Sequence, residues 1–209
     1  GNADGALTDI ITANVHTGFF YMTLFDLTGK TAVITGSTKG IGKAIAERMA
    51  EHGANIVVSS RKQDACEAVA ADINENWAKS GNRAVSIPCH IYHKEQLQSL
   101  VEQSKAEFGK IDILVCNAAV NPFHGSALDI PDTAFDRIME CNIRSNSWLC
   151  NMVIPGMIEQ KDGVLIIVSS IGGIRGSKEL GAYSISKAAD MQIVRNYAVE
   201  FGPDNIRAN

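Results

Sequence analysis

From Lys30 onward, short apolar runs alternate with longer stretches of helical periodicity. Thr31-Ala32-Val33-Ile34-Thr35 reads as a buried strand, followed by a helix over Ile41–His52 that Gly53 stops. Asn55–Ser59 is a second strand, and Gln63–Ser80 a helix closed by Gly81. Ala84–Pro88 is a third strand, Lys94–Phe108 a third helix and Ile111–Cys116 a fourth strand. Asp132–Glu159 is a long helical region that Pro155 and Gly156 are expected to bend or end. Val164–Ser169 is a fifth strand, Tyr183–Phe201 a helix ending at Gly202-Pro203, and Ile206–Asn209 opens a sixth strand. The strand runs are continuously apolar rather than alternating, as strands buried on both faces are. Alternating β and α units predict an α/β fold, a doubly wound parallel sheet in one domain. Ligands of such sheets bind beyond the carboxyl ends of the strands, here just after Thr35, Ser59, Cys116 and Ser169.

The chain of 209 residues is long enough for one domain with a substantial core. Nineteen basic against 23 acidic residues leave a net charge of −4, which argues against a nucleic-acid partner. No apolar run reaches the roughly 18 residues of a membrane helix. Residues 1–21 lack a basic start and read as an extension preceding the domain of residues 22–209. The five cysteines (Cys66, Cys89, Cys116, Cys141 and Cys150) are widely spaced, with no C-x-x-C. That pattern disfavours a disulfide framework or a zinc site and points to a reducing, cytoplasmic setting; a nucleophilic Cys is the functional alternative to small buried hydrophobes. His16, His52, His93 and His124 show no metal-binding spacing, so no metal is expected.

The first candidate chemistry follows the first strand. Gly36-Ser37-Thr38-Lys39-Gly40-Ile41-Gly42 links it to the first helix, the context of a dinucleotide site. Glycines allow a tight turn and a close approach of backbone to a pyrophosphate, and the helix start offers free N–H groups. The spacing is G-x-x-x-G-x-G, and a ligand-free glycine turn is the plain alternative. At the end of the second strand, Ser59-Ser60-Arg61-Lys62 carries no acid to bind a ribose 2′-hydroxyl. Arg61, with Lys39 from the glycine loop, suits a 2′-phosphate and favours NADP(H) over NAD(H).

The second candidate is Tyr183-Ser184-Ile185-Ser186-Lys187 at a helix start. Tyr183 and Lys187, at i and i+4, share one face. An ammonium beside a phenol favours the phenolate, which lets the Tyr exchange a proton with a carbonyl or alcohol oxygen. Ser170, thirteen residues upstream at the end of the fifth strand, can polarise the same oxygen.

Together these motifs, with Asn117-Ala118-Ala119 after the fourth strand and Asn142 in the long helix, strongly resemble the short-chain dehydrogenase/reductase family. The resemblance spans about Phe25 to Asn209, and Cys116–Phe123 with Ser59–Lys62 is similar to its NADP-dependent carbonyl reductases. It implies a Rossmann-like domain and hydride transfer between nicotinamide and a carbonyl or secondary alcohol. Tyr183 would be the general acid/base. Lys187 would hold the nicotinamide ribose and tune Tyr183, and Ser170 would orient the substrate oxygen. Asn142 would fix a relay water that leads to Lys187, and Asn117 would lie beside the cofactor. It also implies a homo-oligomer, a tetramer or dimer, acting on a small carbonyl or alcohol. A 3-oxoacyl-(acyl-carrier) reductase and a catalytically silent dinucleotide-binding scaffold are the alternatives.

Three departures stand out. His90 occupies the place where the family usually has an Asp against the adenine, and is read as a substitute contact. Ala119 stands where the family more often has Gly. The sequence stops at Asn209, where family members continue into a substrate lid and a last strand, so the C-terminal part is expected to be missing. Phe123, His124, Ile174, Arg175 and Lys178 are positioned to border a substrate pocket.

Overall fold

The central strands carry apolar residues whose successive side chains point to opposite faces, so both faces demand cover. The computed structural model, which describes residues 24–79 and 81–209, supplies that cover with helices on both sides. The expected extension, residues 1–21, lies outside the described residues.

The elements are β1 (Thr31–Thr35), α1 (Gly40–Glu51), β2 (Asn55–Ser59), α2 (Gln63–Asn76), β3 (Ala84–Ser86), α3 (Lys94–Phe108) and β4 (Ile113–Cys116). They continue with α4 (Asp132–Met139), α5 (Ser145–Gln160), β5 (Gly163–Ile167), α6 (Gly181–Phe201) and β6 (Ile206–Ala208). The sheet runs β3-β2-β1-β4-β5-β6 with every pair parallel. The chain moves outward in one direction from β1 to β3, then returns to start β4 on the other side of β1. The crevice of an open parallel sheet opens at such a switch point.

Register sorts the core. Ala32, Ile34, Ile56 and Val58 face one way, against Ala46 and Ala50 of α1 and Cys66, Val69 and Ile73 of α2. Val33, Val57, Leu114 and Leu165 face the other, against Leu97 and Leu100 of α3 and Leu149, Val153 and Met157 of α5. Each Val, Leu, Ile or Met among them, fully withdrawn from water, contributes about 1.5–3 kcal/mol.

Several sequence expectations shift. The second helix ends at Asn76, because Trp77 N–H and Ala78 N–H both return to the Ile73 carbonyl. β3 stops at Ser86 rather than Pro88, and β4 starts at Ile113 rather than Ile111. The long helical region is not broken at Pro155. Leu149, Cys150, Val153, Ile154 and Met157 are buried around it, and that packing outweighs the roughly 3 kcal/mol an internal proline costs. The interruption comes earlier, as a π-helical turn over Glu140–Arg144. α5 instead ends at Gln160, capped by Lys161, whose φ is +51° and whose carbonyl accepts from Asn205 Nδ2.

Candidate active site

At Gly36 and Gly42 the loop between β1 and α1 has no room for a side chain. Gly36 has φ +66°, and a Cβ there would lie 3.0 Å from Asn117 Nδ2 and 3.1 Å from Ala118 Cα. A Cβ on Gly42 would lie 2.4 Å from the Gly36 carbonyl oxygen and 2.5 Å from Asn117 Nδ2. Gly40 has φ +55° with nothing within 4 Å of a built Cβ, so its outer side faces open space. α1 begins there with no side-chain cap and no acidic residue in its first turn, leaving its first N–H groups for a ligand.

This loop forms one wall of a cleft of about 470 Å³, within the range of small-molecule sites. Gly36, Thr38, Lys39, Gly40, Ile41, Ser60, Arg61, His90, Asn117, Ala118 and Ala119, all anticipated from the sequence, line it. Thr35, Ser59, Cys89, Ile91, Val120 and Cys141 complete it. Ser37 and Gly42 sit beneath it. The Ser37 hydroxyl donates to the Ile34 carbonyl and accepts from Ser59 N–H, so this fully buried side chain ties the loop to β1 and β2 instead of facing a ligand.

At the β2 end of the cleft, Lys39 and Arg61 are exposed, and neither makes an ion pair among the described residues. His90 Nδ1 accepts from Tyr92 N–H at 3.3 Å. Partial burial, helped by the charges of Arg137, His93 and Arg61, holds His90 below its ordinary value, so the ring is a neutral wall beside Arg61. The thiols lining the cleft are held in their neutral form. Burial pushes Cys89 up to about 12 and raises Cys141.

Two asparagines bind the far wall to the rest of the fold. Asn117 Nδ2 donates to the carbonyls of Thr35 and Gly36, while Thr35 Oγ1 accepts from the backbone of Asn117 and Ala118. Asn142, fully buried in the π-helical turn, grips Val120 from both sides: Oδ1 accepts its N–H and Nδ2 donates to its carbonyl. Asn142 Nδ2 also donates to Ser186 Oγ of α6 at 3.0 Å. The cleft wall and the helix of Tyr183 are thereby one connected unit.

Ser170 follows β5 and caps a 3-10 turn over Ile171–Gly173. Its Oγ accepts from Gly172 N–H, which leaves its O–H available as a donor. That turn lies against α6, where a Cβ on Gly173 would sit 2.9 Å from the Lys187 carbonyl. Tyr183, in the first turn of α6, lines an apolar cavity of about 120 Å³ with Phe123, Phe135 and Leu180, so of the pocket-bordering candidates Phe123 shares a cavity with Tyr183. His124, Ile174, Arg175 and Lys178 are exposed and line neither cavity. Lys187 Nζ lies 5.8 Å from the centre of the Tyr183 ring. It donates to the Val168 carbonyl and to Asp190 Oδ2, both at 2.9 Å.

Sequence reasoning missed Asp190 and Asn146. Asp190 is fully buried and Asn146 nearly so. One Asn146 N–H goes to the Asn142 carbonyl at 2.7 Å and the other to Asp190 Oδ1 at 3.0 Å. Burial pushes the Asp190 carboxyl above its ordinary value, opposed by Lys187 and Asn146. The available signal was spacing: Asp190 lies three residues after Lys187 and Asn146 four after Asn142, each one helical turn away.

A six-stranded parallel sheet with a glycine-walled cleft is the fold of the short-chain dehydrogenase family, and this chain belongs to it: the family model "short chain dehydrogenase" matches residues 30–209. The protein "Dehydrogenase/reductase SDR family member 4" of Mus musculus is 38% identical over 183 residues, 88% of this chain and 64% of that protein. A crystal structure of a short-chain type dehydrogenase/reductase from Mycobacterium marinum is similar with a TM-score of 0.82 at 35% identity, over 89% of this chain and 72% of that one. A 7α-hydroxysteroid dehydrogenase complexed with NADH and 7-oxo glycochenodeoxycholic acid gives 0.81 at 35% identity, over 88% and 69%. The chain thus spans somewhat under two thirds of the length of the curated relative. Among the described residues no helix is long and apolar enough to cross a membrane, and no group of His, Cys, Asp or Glu could hold a metal ion.

Proposed function

We propose that the protein is an NADP(H)-dependent oxidoreductase of small carbonyls or secondary alcohols, with Tyr183 as general acid/base. The observation that carries this is the continuity of the glycine-walled cleft, through Val120, Asn142 and Ser186, with the helix that brings Tyr183 and Lys187 together. Gly36, Thr38, Gly40 and Ile41 fit a pyrophosphate, because the cradle at Gly40 is open and the loop beneath it admits no Cβ. Lys39 and Arg61, neither paired with a carboxylate among the described residues, suit a 2′-phosphate, and no acidic residue lines the cleft to compete for a 2′-hydroxyl. When bound, the nicotinamide supplies or accepts the hydride.

The chain's own residues handle the proton. In reduction, the Tyr183 O–H gives its proton to the carbonyl oxygen as that oxygen gains negative charge; in oxidation the phenolate takes it back. The Ser170 O–H, left over from its contact with Gly172, donates to the same oxygen and orients it. Lys187, with two of its three N–H groups spent on Val168 and Asp190, keeps one for the nicotinamide ribose. The five buried thiols fit a reducing compartment such as the cytoplasm. The exposed apolar Val199 on α6 fits burial against a second copy in a homo-oligomer.

The test is NADPH oxidation with a small set of aldehydes and ketones. Tyr183→Phe is expected to lower kcat about 10²–10⁴-fold. A Tyr183→Phe protein that keeps the full rate overturns the mechanism.

A further inference from the structure

One buried carboxyl takes no part in this proton transfer. Asp190 is a carboxyl with no exposed surface, in the middle of α6, in an ion pair with Lys187, which is itself 3% exposed. A buried ion pair gains little for stability over well-packed apolar residues of the same volume. Asp190 caps no helix end, and its polar partners are Lys187 and Asn146. With an apolar residue at 190, Lys187 would keep the Val168 carbonyl as its one protein acceptor.

The connections are continuous. The two N–H groups of the Asn146 amide join the Asn142 carbonyl to Asp190 Oδ1, and Asp190 Oδ2 receives Lys187 Nζ. Side chains therefore span the whole distance from the π-helical turn to the ammonium beside Tyr183. We propose that Asp190, braced by Asn146, is a positioning residue of the active site: its carboxylate fixes the Lys187 ammonium at the end of β5 and offsets that charge beside Tyr183. This rests on the assignment of Tyr183 and Lys187 under the proposed function.

Other titratable groups around the pair do not duplicate this charge. On α6 itself Arg195 lines the same side as Asp190, and Tyr197 is raised by burial. β4 presents Cys116 and α5 presents Cys150; Cys150 and burial push the Cys116 thiol well above its ordinary value, so it stays neutral. The end of β5 faces the pair with Val168 and Ser169, which do not ionise near neutral pH.

An unbalanced cation near a phenol favours the phenolate more than a balanced one does. The decisive readout is the tyrosinate absorbance of cofactor-free protein, titrated with alkali. Subtracting the Tyr183→Phe protein isolates Tyr183 from the other three tyrosines of the four in the chain. Asp190→Asn is expected to move the Tyr183 titration to lower pH by about one unit, because it removes the charge while keeping the shape. Asn146→Ser, which disturbs the same network but keeps the charge, is expected to leave the titration in place. An unmoved titration in Asp190→Asn overturns the proposal, as does an equal shift in both variants. Where Asp190→Asn does not fold, Asp190→Ser is read in the same way, with water from the roughly 330 Å³ cavity beside Asp190 solvating the ammonium. The titration needs neither cofactor nor substrate. Failure of the proposed function shows instead as an active Tyr183→Phe enzyme.

Discussion

Gly42 is the place where a single methyl group tests how the cofactor loop is built. It lies in the first turn of α1 and is buried. Replacing it with Ala improves helix propensity by about 1 kcal/mol. Against that gain, the new Cβ would stand 2.4 Å from the Gly36 oxygen and 2.5 Å from Asn117 Nδ2, roughly 1 Å inside ordinary nonbonded contact. Neither neighbour is a loose side-chain end. Gly36 O belongs to the loop backbone, and Asn117 Nδ2 is held by the carbonyls of Thr35 and Gly36. The loop must therefore move, at an overpacking cost of up to about 3 kcal/mol. The clash wins, and Gly42→Ala should be destabilised by about 2 kcal/mol, a fall in Tm of about 4–8 °C for a chain of this size. Because Gly36 also lines the cleft, NADPH affinity measured by fluorescence titration should fall about tenfold or more. Gly40→Asn is the control. Its φ of +55° is one that Asn tolerates, and no atom lies within 4 Å to be struck, so its Tm should change less. A Gly42→Ala protein that melts at or above the parent temperature would refute the wedge between Gly36 and Asn117.

Two further predictions concern the β2 end of the cleft. Arg61→Ala should weaken NADPH binding about tenfold and leave NADH binding within about twofold, as a lost charge-assisted phosphate contact requires; equal losses for both dinucleotides sink the 2′-phosphate assignment. His90 titrates below its ordinary 6.5 in the folded chain, mainly through burial, so below that pH the unfolded state binds the extra proton first and stability declines as pH falls. His90→Gln lacks this component. The stability of the parent relative to His90→Gln, from denaturant midpoints, should drop as pH falls below 6.5, and a difference that stays flat from about pH 8 to about pH 5 contradicts the neutral His90 in the folded state.

The elements that could be read from the chain are those whose cause is local. Runs such as Thr31–Thr35 and Asn55–Ser59 lie along the sequence as they lie in the sheet, and Gly53 and Gly109 mark helix ends through their own left-handed φ. The glycine loop was legible for the same reason, since strand, turn and helix start are contiguous. Pro155 misled, because its cost is local while the burial of Leu149, Val153 and Met157 that overrides it comes from α3 and the sheet. The π-helical turn at Glu140–Arg144 carries no proline or glycine to announce it. Ser37 looked like a loop residue facing a phosphate, yet its neighbours prove to be Ile34 and Ser59, the latter brought to it by the pairing of β1 with β2.

By itself, then, the sequence determined the alternation of strands and helices, the conformation of the glycine loop and the shared face of Tyr183 and Lys187, because each depends on residues within a turn or two. Tertiary structure decided what those residues touch. The parallel order β3-β2-β1-β4-β5-β6 sets Arg61 and His90 on one cleft with the glycine loop, and the packing of α5 beside α6 brings Asn146, 44 residues away, onto Asp190. Contacts between distant segments are chosen by how the two faces of the sheet are covered, and no local pattern encodes them.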